Sequence, residues 1–67
     1  MQMQPVVSDN VVSVGYEKSM QTLRVQFHSG LYEYYDVDSS LFEAMLQPHP
    51  WRRVGRQVKA HQFKKIS

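Results

Sequence analysis

Leu23-Arg24-Val25-Gln26-Phe27-His28-Ser29-Gly30-Leu31-Tyr32-Glu33-Tyr34 consists of two runs on either side of a Ser-Gly pair. In the first, Leu23, Val25 and Phe27 alternate with Arg24, Gln26 and His28, the two-residue rhythm of a half-buried strand. In the second, Leu31 to Val37 reads as another strand, and Ser29-Gly30 reads as the tight turn between them. With that turn, His28 faces Leu31, Phe27 faces Tyr32 and Val25 faces Tyr34. Directly opposed residues share a face. One face then carries Leu23, Val25, Phe27, Tyr32 and Tyr34; the other carries Arg24, Gln26, His28 and Glu33. A slip of one residue would set Glu33 beside Val25.

Upstream, Val12, Val14 and Tyr16 alternate with Ser13 and Gly15. A turn around Lys18 to Gln21 pairs Tyr16 with Leu23, Val14 with Val25 and Val12 with Phe27. Both hairpins therefore select the same apolar face. Downstream, Asp38, Ser39 and Ser40 are candidate N-caps, and Ser40-Leu41-Phe42-Glu43 has capping-box spacing. Val37, Leu41, Phe42, Met45 and Leu46 form an apolar stripe able to cover the sheet. Pro48 and Pro50 end that helix, and Pro50 suits the first position of a second one. There Trp51, Val54 and Val58 share a stripe, while Gly55 weakens the helix by about 1 kcal/mol relative to alanine. The expected fold is α+β. A three-stranded antiparallel meander, with a short extra edge strand in the first ten residues as an option, is covered on one face by one or two C-terminal helices. Gln62 to Ser67 is a basic end that can extend along the sheet.

Sixty-seven residues make one domain near the lower limit for independent folding, where only about 60% of the unfolded surface is buried. Residues 1–8 read as a loose lead-in and residues 51–67 as a basic C-terminal segment. The absence of cysteine excludes disulfides and a thiolate zinc site and points to a reducing cytoplasm. Met1-Gln2-Met3-Gln4-Pro5 lacks the basic-then-apolar pattern of a secretory signal, and no run approaches the roughly 20 apolar residues of a membrane span.

Charge is sorted along the chain. Asp9, Glu17, Glu33, Asp36, Asp38 and Glu43 all precede residue 44, with only Lys18 and Arg24 to offset them, so the front half stands at −4. Arg52, Arg53, Arg56, Lys59, Lys64 and Lys65 give the tail +6 without an acid, which accounts for the net +2. Such a tail raises the possibility of a polyanionic partner.

The order of Val14-Gly15-Tyr16-Glu17, Leu23-Arg24-Val25-Gln26-Phe27 and Gly30-Leu31-Tyr32-Glu33-Tyr34 resembles the KTSC domain. That short module is named from the C-terminal end of some lysyl-tRNA synthetases and also stands alone in bacteria and phages. Its hallmark Tyr-x-Tyr corresponds to Tyr32 and Tyr34. The resemblance runs from about Val6 through Asp36-Val37, Phe42 and Leu46 to Phe63-Lys64-Lys65-Ile66. Asp38 stands where the family often has proline, and Pro48-His49-Pro50, followed by Trp51, stands where it usually has Ser-x-Gly. The synthetase association implies RNA binding.

Two functional readings stay open. In the first, the chain is a non-catalytic nucleic-acid-binding module, with RNA as the expected partner. Arg52, Arg53, Arg56, Lys59, Lys64 and Lys65 bind phosphate without reading sequence, while Tyr35, Trp51 and Phe63 offer stacking surfaces for unpaired bases. In the second, it is a protein-interaction or accessory domain that uses the sheet's other face (Leu31, Tyr35, Val37, with Val11 at an edge), and the basic tail is a solvated face paired with Glu33, Asp36 or Glu43. The shared face of Tyr32 and Tyr34 with Val25 and Phe27 favours a place under the helices over a contact surface. His28, His49 and His61 lack metal-ligand spacing, and no Ser-His-acid set or glycine-rich phosphate loop is present. Neither enzymatic activity nor a cofactor, metal or membrane partner is expected. Oligomeric state is not legible in the chain.

Overall fold

In a computed structural model describing residues 1–67, an antiparallel sheet follows chain order: β1 (Gln4–Pro5), β2 (Val11–Glu17), β3 (Thr22–Phe27), β4 (Gly30–Tyr34) and β5 (Phe63–Lys65). Helices α1 (Ser39–Met45) and α2 (Pro50–Lys59) lie between β4 and β5. The α+β class stands, but the sheet has five strands where a three-stranded meander was expected. The two added strands hold two and three residues, too few to carry a periodic signal. β1 pairs Gln4 with Val14 and Pro5 with Ser13, so the lead-in is part of the sheet. Proline is tolerated there because the strand is an edge.

The first hairpin has the expected pairs Tyr16–Leu23 and Val14–Val25, but a bulge between Val11 and Ser13 makes Val11 the partner of Phe27. Val11 is consequently buried and Val12 exposed, the reverse of the simple alternation. In the second hairpin Phe27 pairs with Gly30, Val25 with Tyr32 and Leu23 with Tyr34. The turn is therefore His28-Ser29, two residues away from the expected register. Gly30 opens β4 and makes room for the C-terminal strand: a Cβ there would stand 2.7 Å from the Ser67 carbonyl oxygen and 2.9 Å from Lys65 Cε. A shift of two preserves side-chain parity, so the apolar face survived the error.

Val11, Val14, Leu23, Val25, Tyr34, Val37, Met45 and Val58 form the buried core. Asp38 caps α1 by accepting from the Ser40 backbone N–H at 3.1 Å. Phe42 on α1 stacks on Tyr16 with ring centroids 5.1 Å apart, and the Tyr16 hydroxyl donates to the Val37 carbonyl. Pro50 opens α2 as expected. His49, before it, donates its backbone N–H to Val7 O at 2.6 Å, tying the inter-helix corner to the lead-in. No helix is long and apolar enough to cross a membrane.

Candidate functional site

The two helices leave one end of the sheet's apolar face uncovered. β3 supplies Phe27, β4 supplies Tyr32 and Tyr34, and β5 supplies Phe63, which pairs across the strands with Tyr34. Together with Ser29 and Lys59 they line an open groove of about 460 Å³. Phe63 lies 6.0 Å from Tyr32 and 5.7 Å from Tyr34 between centroids, and the two tyrosines stack at 6.4 Å. Tyr34 is buried, Tyr32 half-buried, and Phe63 is 58% exposed. The expectation that both tyrosines lie under the helices therefore describes Tyr34; Tyr32 reaches the groove wall. Burial, followed by the neighbouring Tyr32, pushes the Tyr34 phenol above its ordinary pKa.

Lys59, the last residue of α2, closes one side of the groove. Lys65 pairs with Tyr32 and so projects from the same face, its stem passing over Gly30. Neither lysine has a carboxylate within ion-pairing distance, and the groove lining contains no acid. Arg56, exposed and unpaired, sits one turn back from Lys59 on the same side of α2.

The other bases named from the sequence are dispersed. Arg52 pairs with Asp9 at 2.7 Å, both well exposed, an interaction worth about 0–1 kcal/mol. Arg53 donates to the Ala44 carbonyl at 2.7 Å and the Pro48 carbonyl at 3.1 Å, satisfying the C-terminal end of α1. Lys64 lies on the opposite sheet face, where it pairs in register with Glu33. Glu33 itself is bonded by Arg24, and no ion pair joins the tail to Glu33, Asp36 or Glu43.

Tyr35 donates its hydroxyl to Glu33 at 3.3 Å. It lines a second hollow with Met1, Glu17, Met20, Thr22, Arg24 and Glu33. Burial, then the Glu33 hydrogen bond, raises its phenol pKa. A stacking surface bordered by two carboxylates is a poor neighbour for phosphate. Trp51 packs edge-on against Phe27 at 4.8 Å and near Tyr34 at 6.4 Å, anchoring α2 to the sheet. Val11 and Val37 are buried, so the exposed protein-docking face expected to include them loses two of its four residues. His28 is at a hairpin tip, His49 precedes α2, and His61 donates from Nδ1 to the Tyr35 carbonyl at 3.0 Å.

Phe27, Ser29, Tyr32 and Tyr34 were not grouped as a site in the sequence. The signal lay in Phe63-Lys64-Lys65-Ile66, an alternation that becomes a groove wall only once β5 is beside β4.

A family model for the KTSC domain matches residues 7–49. Its match ends just before α2, so Lys59, Phe63 and Lys65 lie beyond it. Among solved structures, the chain is similar to a KTSC domain protein from Yersinia pestis, at 28% identity and a TM-score of 0.88. The likeness covers 98% of this chain and 97% of that one. A search of curated proteins returned no match. The family model spans well over half the sequence and the structural likeness runs from end to end, α2 and β5 included: the chain belongs to the KTSC domain family.

Proposed function

We propose that the chain is a non-catalytic module that binds single-stranded nucleic acid, RNA in preference, in the groove between α2 and β5. The observation that carries this is the pairing of chemistries there. Aromatic faces at Phe27, Tyr32 and Phe63 share the groove with the Lys59 ammonium and no acid; Lys65, in register with Tyr32, adds a second unpaired ammonium at its border. Unpaired bases stack on aromatic rings for about 1–3 kcal/mol each, and cations beside them take the backbone. A duplex hides its bases, so the groove favours single strands. RNA as the partner fits the synthetase association of the family name, and a cysteine-free chain fits a cytoplasmic setting.

This reading moves the site from the whole tail to Arg56, Lys59, Lys65 and Phe63, with Trp51 and Tyr34 as supports. Fluorescence anisotropy with a labelled single-stranded RNA tests it. Phe63→Ala, at an exposed position, should weaken binding about tenfold, and Lys59→Glu/Lys65→Glu should abolish it at moderate salt. Unchanged affinity in both variants would remove the proposal.

A further inference from the structure

The groove does not end at Phe27. Next to it is a pocket of about 360 Å³ lined by Asn10, Phe27, His28, Ser29 and Trp51. Phe27 and Ser29 belong to both spaces. The Phe27 ring stands edge-on to Tyr32, a groove residue, at 5.6 Å and 85°, and edge-on to Trp51, a pocket residue, at 4.8 Å and 78°. Phe27 thus has an aromatic neighbour in each of the two spaces it lines.

The two spaces differ in chemistry. The groove is mainly aromatic, with Lys59 at its side. The second pocket sets an indole and a phenyl ring against a carboxamide, an imidazole and a hydroxyl. Those three polar groups offer both donors and acceptors, which a base edge or a ribose 2′-hydroxyl needs and which plain stacking does not. No acid lines either space, and the acid adjoining Asn10 in the chain, Asp9, is held by Arg52 at 2.7 Å.

Resting on the single-strand reading above, we propose that the groove and this pocket are adjacent subsites for two consecutive nucleotides of one RNA strand. One base stacks against Phe63 and Tyr32. The next enters beside Trp51, where Asn10 and His28 meet its polar edge. Phe27 and the Ser29 hydroxyl border both.

Trp51 is the only tryptophan in the chain, so its fluorescence reports on the second pocket. The probes are AMP, the dinucleotide ApA, the trinucleotide ApApA and the deoxy form of ApA. ApA should bind at least about tenfold more tightly than AMP, as one added stacked base implies, and should change Trp51 emission. The third nucleotide should add less than about threefold. Asn10→Ala and His28→Ala should each weaken ApA severalfold and leave AMP unchanged, which also serves as the folding control. The deoxy dinucleotide should bind more weakly.

If AMP and ApA bind alike, with Phe63→Ala abolishing both, the second subsite is refuted while the groove reading stands. Equal affinity for the ribo and deoxy dinucleotides refutes recognition of the ribose. If no nucleotide or longer RNA strand binds, the single-strand reading falls and the subsites fall with it.

Discussion

Gly55 is the residue at which local propensity and tertiary packing disagree most directly. In an exposed helix, replacing glycine with alanine gains about 1 kcal/mol. Here a Cβ would stand 2.9, 3.1 and 3.2 Å from three atoms of the Trp51 ring one turn earlier. The indole is also packed against Phe27, with ring centroids 4.8 Å apart, so a shift away from Gly55 disturbs that contact. Overpacking of this kind costs about 1–3 kcal/mol, so Gly55→Ala should destabilise the domain on balance, by about 1 kcal/mol. For a chain of this size that lowers the Tm by about 4–8 °C, measurable by thermal denaturation followed by circular dichroism. A stabilised variant would mean that the glycine does not make room for Trp51. The sequence shows the propensity penalty at Gly55, whereas its cause needs the position of a ring four residues away.

At the scale of elements, α1 has seven residues, too few to persist without its cap and its packing. The Asp38 carboxylate accepts from the Ser40 hydroxyl and backbone N–H, and these bonds hold its pKa below the ordinary 3.8. Glu17 at the end of β2 is likewise held below 4.5 by the Ser19 hydroxyl and backbone N–H. A carboxyl with a depressed folded pKa contributes its full stability above its unfolded pKa. It loses that contribution as pH falls through the folded value. The Tm should therefore decline with acidification below about pH 4.5, the ordinary glutamate value. Asp38→Asn, which keeps an acceptor but cannot titrate, should flatten that decline, and adding Glu17→Gln should flatten it further. A pH profile identical to the unsubstituted chain in the double variant would count against both bonds.

The same elements show what was legible beforehand. The shared face of β2, β3 and β4 was readable because an error of two residues in register leaves every side chain on its proper side. The Asp38 cap of α1, the proline stop after it and Pro50 at the start of α2 were readable because they are local. The capping-box spacing Ser40 to Glu43 is not used, since Ser40 already lies inside the helix that Asp38 caps. The bulge that exchanges Val11 for Val12 was not, since both are valine and only packing chooses between them. β1 and β5 were legible only as options for a different reason: strands this short form by pairing with an edge that must already exist. The groove inherits that limit, because its outer wall is β5.

At the scale of the whole molecule, the separation of charge along the chain becomes a separation by role. Arg53 closes α1, Arg52 answers Asp9, and Lys64 lies on the face of Glu33. Arg56, Lys59 and Lys65 are left without an ion-pair partner in the chain. The axes measure 27, 25 and 23 Å, roughly three Debye lengths at physiological salt, so acids on the far side scarcely dampen the field there.

Counterion release turns this into a count. For a single strand the slope of log Kobs against log salt is about −0.7 per phosphate neutralised. Engagement of these three cations predicts a slope of about −2, whereas engagement of all six tail bases predicts about −4. Lys59→Gln/Lys65→Gln should reduce the magnitude by about 1.4. Arg53→Gln should leave the slope where it is and lower the Tm, because its guanidinium serves the Ala44 and Pro48 carbonyls. RNA titrations across a salt series, with thermal melts of the same variants, measure both quantities. A slope near −4 that falls with Arg53→Gln would return the contact surface to the entire tail; a slope near −2 that falls only with the two lysines assigns it to the groove.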